Sequence, residues 1–133
     1  MAQKDQIFQL CDQVRETSFA LHRYLRHGQK EKIYENGLAI RLRSQGLVVD
    51  QQSSLSVYDE DGSLLGTLDA DLFVSEQLIV ELKAVKTLLN EPIPQLLGYL
   101  RASRIEHGLL INFGAPVLQL KKYALSKDLD SQL

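Results

Sequence analysis

One segment of this 133-residue chain, DADLFVSEQLIVELKAV (residues 69–85), limits the possible folds most strongly. Its apolar residues form two short runs, 69–74 and 78–83, and short apolar runs of this length are typical of buried strands. The three residues between them, 75–77, are enough for a hairpin loop. The segment therefore predicts an antiparallel hairpin buried inside a larger sheet.

Four charged residues interrupt this apolar hairpin. With a loop at 75–77, the simplest register places Asp71 opposite Glu81 and Asp69 opposite Lys83. Directly opposed residues have Cβ atoms about 4.5–5.5 Å apart, so the two carboxylates repel each other. A divalent cation would turn this repulsion into attraction, because paired carboxylates are ligands for hard metals such as Mg²⁺. A lysine beside that metal could stabilise negative charge on a phosphate.

A simpler explanation uses the same register. Asp69 and Lys83 could form an ordinary cross-strand ion pair, with Asp71 and Glu81 at a solvated edge of the sheet. The spacing alone favours this explanation, because an aspartate followed by Glu-x-Lys often arises by chance.

The rest of the chain predicts an α/β (α+β) fold with a mixed sheet flanked by helices. We expect one domain over residues 1–125 and a frayed tail over 126–133. DEDG (59–62) predicts a hairpin turn. In chain order, the predicted elements are helices at 3–26 and 30–45, strands at 47–58, 63–68, 69–74 and 78–83, a helix at 92–103, and strands at 107–114 and 117–125.

Composition limits the cellular setting and the partners. The single cysteine, Cys11, excludes an internal disulfide framework, and no apolar run is long enough to span a bilayer. The first ten residues, MAQKDQIFQL, lack the pattern of a signal peptide, so we expect a cytoplasmic protein with no membrane association. The net charge is −2, so any attraction to nucleic acid must come from a local basic patch.

Six segments carry distinctive motifs: LHRYLRHG (21–28), GQKEKIY (28–34), DADLFV (69–74), LIVELKAV (78–85), PQLLGYL (94–100) and GLLINFG (108–114). In this order they resemble the segments of the GxxExxY family, a group within the PD-(D/E)XK nuclease superfamily. The resemblance covers residues from about 10 to 120. The chain departs from the family pattern at two places. NEPIPQ has prolines where family members commonly have a histidine, and Asp69 stands where many members have a basic residue.

The resemblance implies a restriction-endonuclease-like fold and a phosphodiesterase that requires Mg²⁺ or Mn²⁺ and acts on nucleic acid, with DNA as the expected substrate. It also leaves room for a catalytically silent module that binds nucleic acid or a partner protein. Gln95 and Tyr99 lie four residues apart and share a helix face, from which they would close the site. The implied metal ligands are Asp71, Glu81, Glu31 and the carbonyl of Leu82, and the implied catalytic residues are Asp71, Glu81, Lys83, Glu31, Gln95 and Tyr99.

Several of these residues also have structural explanations. Glu31 could be a carboxylate stabilised at a helix N-terminus, and Gln95 could be a surface residue. Tyr34 fits core packing better than chemistry. His22 and His27 fit the surface or a helix end better than a metal site, and Cys11 fits a small buried side chain.

Two basic groups are candidates for a nucleic-acid surface, although a run of charge is usually a solvated face. A chain of this length has little surface for sequence-specific recognition, so a homodimer or a partner protein could be needed. The first group is Arg23, Arg26 and Lys30 with the neighbouring His22 and His27, and the second is Lys86, Arg101 and Arg104.

Overall fold

The computed structural model describes residues 2–90 and 92–125. The tail predicted at 126–133 lies outside these ranges. No helix within them is apolar over a sufficient length to span a membrane. The elements of the described chain are α1 (Ala2–Leu25), α2 (Glu31–Ser44), β1 (Val49–Tyr58), β2 (Leu64–Val74), β3 (Leu78–Lys83), α3 (Pro92–Ser103), β4 (His107–Asn112) and β5 (Gln119–Ala124).

The five strands form one mixed sheet in the order β1-β2-β3-β4-β5. Strands β3 and β4 are parallel, and every other neighbouring pair is antiparallel. Parallel neighbours need a long crossover connection, and α3 supplies it between β3 and β4. The α+β fold with a mixed sheet and flanking helices is therefore confirmed, and the most apolar strand, β3, lies at its centre.

Alternate residues of the central strands supply two separate cores. Val80 and Leu82 of β3 pack with the buried face of α2, which carries Tyr34 and Leu38, and with α1. Ile79 packs instead with α3 and its leucines. Because both faces are covered, β3 is apolar on both sides, and each fully buried aliphatic side chain contributes about 1.5–3 kcal/mol through burial.

The prediction of separate strands at 63–68 and 69–74 is wrong, because the two segments form the single strand β2. Its antiparallel pairing with β1 runs without interruption past the expected boundary, with Leu68 facing Leu55 and Asp69 facing Ser54. No glycine or proline lies at that boundary to end the strand. The predicted turn at 59–62 is confirmed, with Gly62 at φ +90°.

The loop at 75–77 forms without glycine. Ser75 and Glu76 both adopt left-handed backbone angles, with φ of +52° and +56°. The amide of Gln77 donates to the carbonyl of Val74 at 3.0 Å and closes the turn. Positive φ at both central residues matches the twist of a tight hairpin. The predicted register is confirmed at its base, where Val74 faces Leu78.

Candidate active site at the separation of β2 and β3

Asp71 and Glu81 meet where the two central strands separate. Regular pairing of β2 with β3 ends at Leu72 and Val80, so the pairs predicted beyond it do not continue the ladder. Side-chain contacts replace it. Oδ2 of Asp71 accepts a hydrogen bond of 2.8 Å from the amide of Leu82, and Oε1 of Glu81 lies 3.4 Å from the amide of Asp71.

Asp69 lies outside this group. Its side chain is exposed, and its residue faces Ser54 of β1. Among the described residues, no ion pair joins Asp69 to Lys83. The predicted cross-strand pairing of these two residues is therefore wrong, because regular pairing of β2 with β3 ends at Leu72 and Val80. The simpler explanation, which needs an ion pair between Asp69 and Lys83, is therefore not supported either.

The ionisation of Glu81 is strongly perturbed at this position. Burial raises the pKa of Glu81 from its ordinary value of 4.5 to about 8, and repulsion from Asp71 adds to the increase. Lys83 acts in the opposite direction but does not offset it. Burial and repulsion both disfavour the charged form of Glu81, and a cation bound beside Asp71 and Glu81 would favour it.

Glu31 and Lys83 lie within electrostatic reach of this pair. Glu31 is the first residue of α2, and loss of hydration and the charge of Asp71 both raise its pKa, while Lys83 lowers it. Lys83 ends β3 and is half-buried. The structure therefore brings together four predicted site residues, namely Asp71, Glu81, Lys83 and Glu31.

Glu35 is a further carboxylate that the sequence analysis missed. It lies one turn after Glu31 and is only 3% exposed. Lys32, Gln51 and Gln52 all donate hydrogen bonds to it, at 2.6–2.8 Å. Burial raises the pKa of Glu35, but these hydrogen bonds outweigh burial, and the pKa lies below its ordinary value.

A signal for Glu35 existed in the sequence. The buried residues of α2 are Tyr34, Glu35, Leu38, Ala39 and Leu42, which is the spacing of one helix face. Glu35 is the one charged residue on that face. A carboxylate at such a position needs hydrogen-bond donors, and the glutamines of β1 provide them.

Tyr34 supports the segment before Glu31. Its fully buried ring stacks on Phe113 with centroids 4.8 Å apart. Its hydroxyl donates to the carbonyl of Arg26 and accepts from the amide of Gln29 at 3.1 Å. The core-packing explanation is therefore confirmed, and the hydroxyl also fixes the connection between α1 and α2.

Asn112 holds the backbone that follows Lys83. Its side chain is fully buried, and it both accepts from the amide of Val85 and donates to the carbonyl of Val85, at 3.0 and 2.9 Å. A Cβ on the adjacent Gly114 would lie 2.3–2.5 Å from backbone atoms of Ala84 and Val85. Close backbone packing therefore fixes the exit from β3.

Gln95 and Tyr99 lie on α3, as predicted, and contact each other. The amide of Gln95 donates to the hydroxyl of Tyr99 at 3.0 Å. Within the described part of the chain, neither side chain has a hydrogen bond to a carboxylate of the site. Leu82, whose carbonyl was the remaining predicted ligand, is fully buried beside Ile111 of β4.

The predicted basic residues lie at the ends of helices and in loops. Arg23, Arg26 and Lys30 are exposed around the connection from α1 to α2, and Lys30 immediately precedes Glu31. Lys86 is exposed three residues after Lys83. In the second group, Arg101 is half-buried and Arg104 exposed at the end of α3.

Of the two positions expected for His22, the surface or a helix end, the structure confirms the helix end. His22 lies in the last turn of α1 but is buried, and its Nε2 atom is 3.0 Å from the carbonyl oxygen of Ala115. It therefore ties α1 to the segment after β4. His27 is exposed, and Cys11 is buried, as expected.

The donor atoms at this site suit a hard divalent cation. The carboxylates of Asp71 and Glu81 and the carbonyl of Leu82 are all oxygen donors. Across residues 2–90 and 92–125, no three histidine, cysteine, aspartate or glutamate side chains converge as a metal cage. Mg²⁺ often binds through one or two carboxylates and keeps several waters, so the residues present fit it.

Comparison with known proteins agrees with this geometry. A search of curated proteins found no match. A family model described as the PD-(D/E)XK nuclease superfamily matches residues 8–123, which is most of the chain and includes every element from α2 to β4. The mixed sheet with flanking helices is consistent with that fold. The chain belongs to the PD-(D/E)XK nuclease superfamily.

Proposed function

We propose that this protein is a Mg²⁺- or Mn²⁺-dependent phosphodiesterase that hydrolyses nucleic acid, with DNA as its substrate. The observation that carries the proposal is the meeting of Asp71 and Glu81 where β2 and β3 separate, with Lys83 at the end of the same strand. Family membership supports nuclease activity in general. The match of GQKEKIY and the later segments further supports a place in the GxxExxY group.

The metal ligands would be Asp71, Glu81 and the carbonyl of Leu82, with Glu31 bound directly or through water. A bound divalent cation supplies neutralisation of phosphate charge and a lower pKa for a coordinated water. The chain contributes the fixed orientation of Asp71, which the amide of Leu82 holds from the neighbouring strand. It also keeps the site partly shielded from solvent, which strengthens each electrostatic interaction there.

Lys83 is the proposed catalytic cation of the chain. The proposal is supported by the effect of its charge, which lowers the pKa of both Glu31 and Glu81. From there an ammonium group can stabilise the charge that develops on a phosphate oxygen or orient the attacking water. Gln95 and Tyr99, joined by their hydrogen bond on α3, are proposed to close the site over the substrate.

Substrate binding is proposed to use the two basic groups, because the net charge of −2 gives no general attraction to DNA. Lys30 and Lys86 adjoin Glu31 and Lys83 in sequence, which supports a path for the phosphate backbone beside the site. A homodimer or a partner protein would extend this limited surface. We also propose a cytoplasmic location, supported by the presence of one cysteine in the whole sequence.

A second candidate is a silent member of the superfamily that binds nucleic acid or a protein. The acidic net charge favours it, as does the lack of a three-residue metal cluster within the described ranges. This candidate keeps the fold and the basic groups but has no turnover. Cleavage and binding measurements on the same preparation distinguish it from the enzyme.

The test is a cleavage assay on single-stranded, double-stranded and branched DNA and on RNA, each with Mg²⁺, Mn²⁺ or EDTA. Lys83→Ala removes the proposed catalytic cation, and Lys121→Ala, at an exposed position on β5, is the matched control. We expect metal-dependent cleavage that Lys83→Ala abolishes and Lys121→Ala retains. Binding without cleavage by a folded wild-type protein under every condition would favour the silent module.

A further inference from the structure

Gln52 has an unusual backbone conformation in the middle of β1. Its φ is +50°, a left-handed value that side chains other than glycine seldom adopt. The flanking residues keep regular pairing, with Gln51 facing Leu72 and Ser53 facing Ala70. Gln52 therefore occupies the position opposite Asp71, and the irregularity is confined to the point of β1 that faces the proposed site.

The left-handed backbone explains where the side chain goes. Consecutive residues of a regular strand point to opposite faces of the sheet. Here the consecutive amides of Gln51 and Gln52 both donate to Glu35, to Oε2 at 2.8 Å and to Oε1 at 2.6 Å. Two neighbouring side chains can reach one carboxylate because the local twist at Gln52 redirects its amide.

The redirected amide also reaches the site. Nε2 of Gln52 lies 3.2 Å from Oδ1 of Asp71, while Oδ2 of Asp71 accepts from the amide of Leu82 at 2.8 Å. Both oxygens of Asp71 are thus held from different strands. An amide nitrogen has two hydrogens, so Gln52 can donate to Glu35 and Asp71 together.

We infer that Gln52 is a positioning residue that fixes the carboxylate of Asp71 for the divalent cation, with the buried Glu35 as its anchor. This inference rests on the proposed function. Hydrogen bonds to a metal-binding carboxylate set its orientation and charge distribution, and their loss typically lowers metal affinity about 10–100-fold. The observed backbone strain is consistent with this role, since strained residues often occur at functional sites.

Gln51 provides a matched control, because its amide donates to Glu35 and to Asn36 but not to Asp71. Gln52→Met and Gln51→Met each remove one amide and keep the side-chain length. Gln52→Gly removes the side chain but permits the left-handed backbone. A loss of Mn²⁺ affinity in both Gln52 variants would therefore result from the missing amide and not from a change in the strand backbone.

The measurement is calorimetric titration of each full-length variant with Mn²⁺, beside thermal unfolding without metal and cleavage at saturating Mn²⁺. Gln52→Met and Gln52→Gly should bind Mn²⁺ about 10–100-fold more weakly than wild type. Gln51→Met should bind like wild type at comparable thermal stability. Equal affinities of the Gln51 and Gln52 variants, or wild-type affinity in Gln52→Gly, overturn the inference.

The same titration separates this inference from the proposed function. A wild-type protein that binds Mn²⁺ and cleaves, beside Gln52 variants that bind equally well, overturns the role of Gln52 alone. A folded wild-type protein that binds no Mn²⁺ overturns the metal-dependent function and the role of Gln52 with it.

Discussion

The backbone amide of Leu82 donates a 2.8 Å hydrogen bond to the carboxylate of Asp71 on the neighbouring strand. This bond lies just beyond the end of the regular pairing of β2 with β3. It holds an acidic side chain beside Glu81 at the centre of the sheet. Because the bond needs only an oxygen acceptor, Asp71→Asn can keep it while removing the negative charge.

The raised pKa of Glu81 predicts a pH-dependent stability for the metal-free protein. The folded state holds a proton on Glu81 up to about pH 8, whereas the unfolded chain releases it near its ordinary value of 4.5. The contribution is therefore fully present below about pH 4.5 and is lost as pH rises toward 8, by about 1.4 kcal/mol for each pH unit at most. Chemical denaturation in EDTA across this range measures the loss.

Glu81→Gln is the control for that measurement, because glutamine resembles the protonated carboxyl group but does not titrate. The decline of unfolding free energy with pH should be shallower in Glu81→Gln, which should exceed wild type in stability at pH 8 and above. Other titrating groups, including Glu31 and His107, remain in both proteins and cancel in the comparison. Parallel curves for the two proteins would contradict a raised pKa at Glu81.

Gly114→Ala should destabilise the fold strongly. The new Cβ would meet backbone atoms of Ala84 and Val85 at 2.3–2.5 Å, and backbone cannot move aside as a flexible side chain can. Overpacking of this kind costs about 1–3 kcal/mol or more. The control is Gly98→Ala on α3, where no atom lies within 4 Å and alanine favours the helix by about 1 kcal/mol. Thermal unfolding compares them, and equal stability would contradict the close packing at Gly114.

Tyr34→Phe should preserve the stacking on Phe113 but loosen the connection from α1 to α2. It removes the hydroxyl that binds the backbone of Arg26 and Gln29, and a hydrogen bond of this kind contributes about 0.5–1.5 kcal/mol. Tyr58→Phe, at an exposed position, should cost far less. Hydrogen exchange at the amide of Gln29 reports the local change, and unaltered protection there would contradict it.

The sequence predicted the elements well where pattern and turn chemistry agree. The apolar run of β3, the turn ending at Gly62 and the helix that begins at Pro92 all lie where expected. The predicted strand boundary near Asp69 is wrong, because a charged residue can occupy the exposed face of a continuous strand. Only the pairing with Ser54, far away in sequence, shows that β2 continues through it.

The candidate site was predictable only where local sequence patterns determine the contacts. Local register brought Asp71 near Glu81, and the family resemblance identified Glu31. The roles of Glu35 and Gln52 depend on the packing of α2 against β1, which no local pattern specifies. The left-handed backbone of Gln52 also has no signature in a sequence that lacks glycine at that position.

Salt dependence tests the proposed nucleic-acid surface. Arg23→Gln combined with Lys30→Gln removes two exposed charges of the first basic group. If each contacts a phosphate of double-stranded DNA, the slope of log affinity against log salt should fall in magnitude by roughly 0.9 per charge. Binding is measured in EDTA at several salt concentrations to prevent cleavage. An unchanged slope would exclude these residues from the interface, and Lys121→Gln is the matched surface control.

The most direct test of the central claim compares Asp71→Asn with Asp69→Asn in one cleavage and metal-binding experiment. The two aspartates lie two residues apart on β2, and each variant removes a single charge, but only Asp71 contacts the strand that carries Glu81. We predict that Asp71→Asn remains folded, loses Mn²⁺ binding and loses cleavage, while Asp69→Asn retains both. Wild-type Mn²⁺ binding and cleavage by a folded Asp71→Asn protein would contradict the assignment of the active site.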